Sequence, residues 1–463
     1  MATTLEEIAA KLEQLSAENT RLRERVEQLE AAAAKPHPAE ATVVVAPAAP
    51  TENQGGVVRF DHDHAFASLD PTTRINRKQK LLLDEKQSGV LPADSVTLSG
   101  AITAIADYQK SNTTDKFGYL MRHPTSANQR TKVASEAVIH SAQLSVTANT
   151  GDWTTAYAEF LYDPEQSFGT GTLTDINRNQ VQVRRGYLLF GNLDKAPFYV
   201  SLGKMSTPFG LTDTPNPFTA STVWHAFGGL AYGANAGYSD HGWDVNFMAV
   251  QGGAQFRSAN TPVDGSNVPS KLNNFVLDAS HTLSLTGEDS LLLGGSYIRG
   301  SAYCQDFPIT HFANCADNNP AWDVYAQYSN GPWMLQAEYA KTLDEWPGTF
   351  NPTIPQFAAS KVSSFDIGGK YRTRISNTDV DLSVDFSRFV AGPSGAPWER
   401  QDQIVLGIAG YLDSSTKLFG EIITTRGYAP LNFLSGGNLG AGVTHSDRDA
   451  RSSIFLVGAN AAF

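Results

Sequence analysis

Two periods of hydrophobic and polar positions divide the chain. Between Leu5 and Leu29 apolar residues recur at alternating steps of three and four, and from Val96 onward they recur at every second residue. The first pattern is a heptad. Leu5, Leu12, Asn19 and Val26 occupy its a positions, and Ile8, Leu15, Leu22 and Leu29 its d positions. Glu18 faces Arg23 and Arg25 faces Glu30 between parallel, in-register helices, and a buried Asn19 would fix that register. Residues 1–34 therefore predict an α-helical coiled coil. Leu at a with Ile at d favours trimers and Val26 with Leu29 favours dimers, so the heptad leaves the copy number open.

The second pattern is that of strands. Val96, Leu98, Gly100, Ile102, Ala104, Ala106 and Tyr108 share one parity. Val380, Leu382, Val384 and Phe386 alternate with Asp379, Asp381, Ser383, Asp385 and Ser387. The chain ends in the same way, on Phe455, Val457, Ala459, Ala461 and Phe463. About sixteen such segments of roughly ten residues follow one another, the length that a tilted membrane strand requires. Short turns near 149–152, 239–242, 286–290, 330–332, 376–379 and 413–416 alternate with long connections near 109–136, 163–178, 206–229, 251–273, 300–320, 343–361, 391–402 and 427–450. Sorting of this kind is expected of a barrel with one periplasmic and one external rim. The fold expected is all-β: a 16-stranded antiparallel transmembrane β-barrel over 95–463, preceded by the coiled coil. Closing strand sixteen onto strand one removes both sheet edges, and Phe463 is the expected assembly signal.

Between these regions, 35–72 read as a Pro/Ala/Gly-rich linker and 73–94 as a short helix and lead-in, the helix ending at Gly89. His62 and His64 lie between Asp61 and Asp63, but two histidines without further ligands do not make a metal site. No metal and no cofactor is expected.

The inner wall can be read from charge. The turn at 376–379 sets Arg374 opposite Asp379, Arg372 opposite Asp381 and Lys370 opposite Ser383. A lipid-facing Arg or Lys near the midplane costs about 2–4 kcal/mol, so this face looks inward. Lys370, Arg372, Arg374, Asp379, Asp381 and Asp385 form either a charged channel wall or a structural ion-pair ladder, and both require a wet interior. On "QVQVRRGYLLFG", Arg185 shares its parity with Val181, Val183, Tyr187 and Leu189. That conflict implies a bulge or a subunit interface. The third long connection, "STPFGLTDTPNPFTASTVWHAFGG", is rich in Pro and Phe. Its apolar rings want burial, which places Phe209, Asp213, Phe218, Trp224, His225 and Phe227 at a constriction inside the lumen, or else in a cap on the outer rim. Trp153, Tyr162, Tyr187, Tyr238, Trp243, Trp322, Tyr328, Trp333, Tyr339 and Tyr411 stand near strand ends, where aromatic girdles belong.

Composition narrows the functions. The net charge of -12 argues against a nucleic-acid partner. No run of about 18 apolar residues exists, so no spanning helix is expected. A barrel must be secreted, and the reading expects a leader removed ahead of Met1. Cys304 and Cys315 bracket a short loop and predict a disulfide in an oxidising compartment. An enzyme is not expected: His140 and His281 sit among same-parity Val138, Ala142, Ala279 and Leu283, with no nucleophile beside them.

"FYVSLGKMSTPFG", followed by "GLAYGANAGYSDHGWDVNFMAVQGG", resembles the LbtU-like siderophore-porin family, as does a coiled coil and linker ahead of a strand that begins "VTLSG". Lys204, Pro208, Phe209 and Gly210 match that family's motif before loop three. The resemblance implies an outer-membrane barrel that passes solutes, including iron-chelating siderophores, without an energised plug. The function expected is a passive porin for small solutes such as siderophores or sugars. It would sit in outer-membrane lipid as a homotrimer, its N-terminal extension in the periplasm and in reach of peptidoglycan. The alternatives are a tether between membrane and cell wall and, least favoured, a barrel-embedded hydrolase.

Overall fold

The computed structural model describes residues 58–69, 77–114, 131–163, 180–211, 213–254, 259–261, 271–285, 289–301, 303, 318–345, 360–428 and 446–463. The heptad positions and the Cys304–Cys315 pair lie outside these residues.

Sixteen antiparallel strands close into a barrel. The first seven are β2 (Ser95–Ser111), β3 (Val133–Thr150), β4 (Thr154–Asp163), β5 (Gln180–Gly191), β6 (Phe198–Ser206), β7 (Leu230–Asp240) and β8 (Trp243–Val250). After a small hairpin, β9 (Gly253–Ala254) with β10 (Ala259–Thr261), come β11 (Asn274–Ser284), β12 (Ser290–Ile298), β13 (Ala321–Asn330) and β14 (Trp333–Thr342). The last five are β15 (Ser363–Ile375), β16 (Thr378–Val390), β17 (Arg400–Asp413), β18 (Thr416–Tyr428) and β19 (Asp447–Ala462). Each pairs with its neighbour in sequence, β8 pairs with β11, and β19 returns to β2. Short turns gather at one rim and long connections at the other.

The wall keeps the period of two. On β17, Ile404, Leu406 and Ile408 point outward and are nearly half exposed, whereas Gln403, Val405 and Ala409 point inward and are buried. Apolar residues covering the outside of a closed sheet are what a hydrocarbon surround demands. Trp153, Trp243 and Trp333 each stand directly after a short turn and remain exposed, at the level where amphipathic rings meet headgroups. Two expected girdle residues face inward instead. Tyr187 is buried against Tyr157, and the Tyr411 hydroxyl donates to Asp381 (3.0 Å).

The seam joins the first wall strand, β2, to the last, β19. Gly100 and Phe463 exchange backbone hydrogen bonds (2.7 and 2.8 Å), and a Cβ on Gly100 would overlap the Phe463 ring. Beyond that point the edge of β2 is taken by β1 (Val58–Phe60), which runs parallel to it with Val58 opposite Val96 and Phe60 opposite Leu98. Residues 58–69, read from sequence as linker, thus form β1 and then helix α1 (His62–Leu69). Ala65 and Leu69 pack on Ala101 and Ala462 of the inner wall. His64 is fully buried, with Nδ1 2.6 Å from Glu85 and Nε2 3.3 Å from Thr147. Polar composition hid this segment, because the partners that bury it lie far along the chain.

Helix α2 (Lys78–Gln87) follows, and the Gly89 expected to end it has φ 80°. It lies inside the barrel. Leu82 and Leu83, with Leu91 beyond the helix, are fully buried in a cluster with Tyr157, Leu189, Tyr199 and Met205. An apolar stripe on the inner face of β4–β6 is out of place in a wet lumen, and the helix explains it. At roughly 1.5–3 kcal/mol per fully buried leucine, the three together contribute about 5–9 kcal/mol to this seat.

Candidate functional site: the barrel lumen

Three sets of residues occupy the lumen: the α1–α2 plug, the third long connection, and the polar inner wall. The connection 207–229 crosses the interior and is fastened to the wall by backbone hydrogen bonds. Gly210 donates to Ser296 (2.9 Å), Leu211 to Glu338 (2.7 Å) and Thr222 to Ser387 (3.1 Å). Phe218 and Thr219 both donate to Glu421 (2.8 and 2.9 Å), and the Thr219 hydroxyl adds a bond to the same carboxylate. In return Gln336 donates to the Asp213 carbonyl (3.1 Å), Gln403 to that of Ala220 (3.0 Å) and Lys417 to that of Pro217 (2.9 Å). Loops cannot bury backbone without partners, and wall side chains from β12 to β18 supply them here.

The six residues read as a constriction all lie on this inner segment. Phe209 packs near Phe227, with ring centroids 6.0 Å apart. Phe218 stacks on Phe419 at 5.1 Å and meets the edge of His140 at 4.8 Å. A short helix, α3 (Thr222–Phe227), starts at Ser221, whose hydroxyl accepts the Trp224 N–H. Trp224, His225 and Phe227 are buried within it. Burial pushes the His225 imidazolium down to about 3, so this ring is neutral at ordinary pH. The aromatic residues bury their rings in the seat of the loop, while Asp213 is only half buried.

The β15–β16 register is the one derived from the turn: Arg374 opposite Asp379, Arg372 opposite Asp381, Lys370 opposite Ser383. Arg372 grips both oxygens of Asp381 (2.7 and 2.8 Å), Arg374 donates to Asp379 (2.8 Å), and Lys370 stands 3.9 Å from Asp381. Exposure falls along the ladder from Arg374 at the short-turn rim to fully buried Asp385.

The conflict on β5 resolves as a bulge. Glu159 pairs with Arg185 but Phe160 with Val183, so Arg184 is the extra residue. Val181 and Val183 face out, and Arg185, Tyr187 and Leu189 face in. Arg185 donates to both oxygens of Glu159 (2.8 and 3.0 Å) and twice to the Ser206 hydroxyl (3.0 Å each). Lys78 of α2 reaches the same carboxylate at 2.7 Å. A second bulge, at His140, moves Ser141 and Gln143 rather than Ala142 onto the inner face.

Sequence reading missed further buried carboxylates of the inner wall, among them Asp278, Asp323, Glu338, Asp366 and Glu421. Asp366 shares its parity with Lys370 and Arg372, which is the signal that could have found it. Among the described residues no group of three or more His, Cys, Asp or Glu is disposed to hold a metal ion.

No protein-family model matches the sequence. No curated protein matches it either. Among solved structures the chain is similar to an anion-selective porin from Comamonas acidovorans, with TM-score 0.46 and 15% identity over 80% of this chain and 99% of that one. It is similar to the outer membrane channel DcaP of Acinetobacter baumannii, with TM-score 0.48 and 14% identity over 80% and 97% of the two chains. It is similar to OprB of Pseudomonas putida, with TM-score 0.47 and 11% identity over 86% and 100%.

Proposed function

We propose that this protein is an outer-membrane porin, a passive route for small polar solutes past a folded-in third loop and a seated N-terminal plug. The observation that carries this reading is the division of one closed wall into an apolar outside and an inside crowded with charged and polar groups, from Arg185 and Glu159 to Asp385 and Glu421. In this reading Lys370, Arg372, Arg374 and Asp379 of the inner ladder face the permeating solute, and buried Asp381 and Asp385 stand behind them. Phe209, Asp213, Phe218, Trp224, His225 and Phe227 set the width of the passage. The resemblance around Lys204 and Pro208–Gly210 extends the reading to iron-chelating siderophores. The N-terminal heptad extends it to a trimer whose extension reaches into the periplasm.

A second reading is favoured by one feature: α2 buries Leu82 and Leu83 in the lumen, as expected of a filled barrel that serves as an anchor. Planar-bilayer recording separates the two. Stepwise ion conductance by the purified full chain supports the porin, with steps in triplets for an open trimer. Silence of a folded, heat-modifiable protein overturns it in favour of the anchor.

A further inference from the structure

We propose that the outer face of the barrel carries a binding site for a phosphorylated lipid headgroup, on β16–β19 and β2 at the long-connection rim. The inference goes beyond the porin reading, because it needs the membrane barrel and not its conductance.

Register builds the site. Arg388, Asp402, Arg426 and Arg451 lie directly opposite one another across four consecutive strands, β16 to β19. Each shares the parity of an exposed apolar residue on its own strand: Val384 for Arg388, Ile404 for Asp402, Ile422 for Arg426 and Phe455 for Arg451. On β2, Lys110 shares the parity of exposed Tyr108 and stands opposite Ser453, two residues along from Arg451. The row therefore faces lipid.

The acids of the row are already engaged. Arg388 holds both oxygens of Asp402 (2.6 and 3.1 Å), and Arg400 approaches the same carboxylate at 3.5 Å. Asp449, two residues from Arg451, lies 3.7 Å from Arg448. Arg426 and Arg451 are left face to face, both exposed, with no acidic partner among the described residues. Like charges directly opposite on a sheet repel. The adjoining connections bring no surplus of acid: 429–445 contains neither Asp nor Glu, and 112–132 sets Asp115 against Lys116, Arg122, Arg130 and Lys132. An anion between the two guanidiniums removes the repulsion. A phosphate does so with the geometry arginine favours, accepting paired N–H bonds from each side. Thr424 and Ser453, opposite each other two residues below the arginines, add hydroxyls, and Lys110 adds a third cation.

Position makes a lipid the bearer of that phosphate. Below the row the same face presents Ile404, Ile422, Phe455 and Val457, exposed and apolar. Acyl chains lie against these while the headgroup meets the cations. Lipid-facing arginine is tolerated at such a level, near the bilayer surface, and not at the midplane. The other rim has no counterpart. Among the described residues no Lys or Arg points outward at the short-turn strand ends, where Trp153, Trp243 and Trp333 stand instead. The site thus serves a lipid of one leaflet, the one at the long-connection rim.

The test uses the full chain in a neutral maltoside detergent, with dioleoyl phosphatidic acid and dioleoyl phosphatidylcholine as probes and native mass spectrometry to count bound lipid. Expected is binding of phosphatidic acid about tenfold or more tighter than phosphatidylcholine. Arg426→Gln with Arg451→Gln should abolish most of that preference and Lys110→Gln part of it, whereas Lys195→Gln at the short-turn rim should keep it. Each variant is checked for heat-modifiable migration. Equal binding of the two lipids by the parent, or a preference that survives in the double variant, overturns the site. Inorganic phosphate that displaces the lipid at equal concentration overturns the lipid as bearer. A double variant that keeps the preference but changes the number of chains per particle assigns the row to contact between copies and also overturns the site. Should the double variant not fold, Lys110→Gln and the parent's own preference decide.

Discussion

Arg185 closes on both oxygens of Glu159 from directly across the β4–β5 pair, with neither side chain reached by solvent. A charge buried this deeply persists only because it is paired, and Lys78 ties the plug to the same carboxylate.

Removing one partner leaves the others stranded. Arg185→Met is expected to destabilise the folded barrel by about 3–5 kcal/mol. Replacing Lys78, Glu159 and Arg185 together by Met, Leu and Met should recover most of that loss. Urea midpoints followed by gel-shift migration measure both, and a single variant as stable as the parent would contradict the network.

The seat of α2 is apolar as well as ionic. Leu82→Ala and Leu83→Ala should each loosen it by about 2–5 kcal/mol. Hydrogen exchange is the check: amides of 78–87 should exchange faster while those of β15–β18 keep their protection. Uniform acceleration throughout the wall would show that the helix is not a separable unit.

Acid should release the third loop. His225 has its folded pKa near 3, below the ordinary 6.5. Once the loop is freed, His225 binds a proton that the seated ring refuses. Stability of the seat is therefore constant above about pH 6.5 and is lost as pH falls from 6.5 toward 3, by up to about 1.4 kcal/mol per pH unit. Protection factors at 221–229, which are corrected for the intrinsic slowing of exchange in acid, should fall across this window in the parent and stay nearly flat in His225→Phe.

Some glycines are fixed by their surroundings. Gly203 has φ 141°, and a Cβ there would lie 2.3 Å from the Gly186 carbonyl oxygen, whereas the nearest atom at Gly410 is 3.8 Å away. Gly203→Ala should cost about 1–3 kcal/mol and lower the yield of folded protein, with Gly410→Ala close to neutral. Refolding yield in detergent compares the two.

The wall was legible because its physics is local. A lipid surround writes a period of two into each strand, and turn length sorts the rims, so the β15–β16 register could be derived residue by residue. What escaped depended on distant partners. Nothing near His64 announces Thr147, and nothing in "DHDHAF" shows that Ala65 and Leu69 meet Ala462. The bulges at Arg184 and His140 shift parity within a strand, so a strict alternation puts Ala142 on the wrong face and leaves Arg185 in conflict with Val183. The buried carboxylates facing the third loop were missed for a related reason: Glu338 and Glu421 are explained by the N–H groups of Leu211, Phe218 and Thr219, more than a hundred residues earlier.

The greasy band made by Tyr157, Leu189 and Tyr199 inside the cylinder has a bearing on biogenesis. A wall that sealed before receiving its helix would hold water against those side chains. The segment that covers them precedes β2 in the chain and emerges first from any machinery that delivers the polypeptide N-terminus foremost. A circular permutant that moved 58–94 behind β19 would have to close around an unlined hollow.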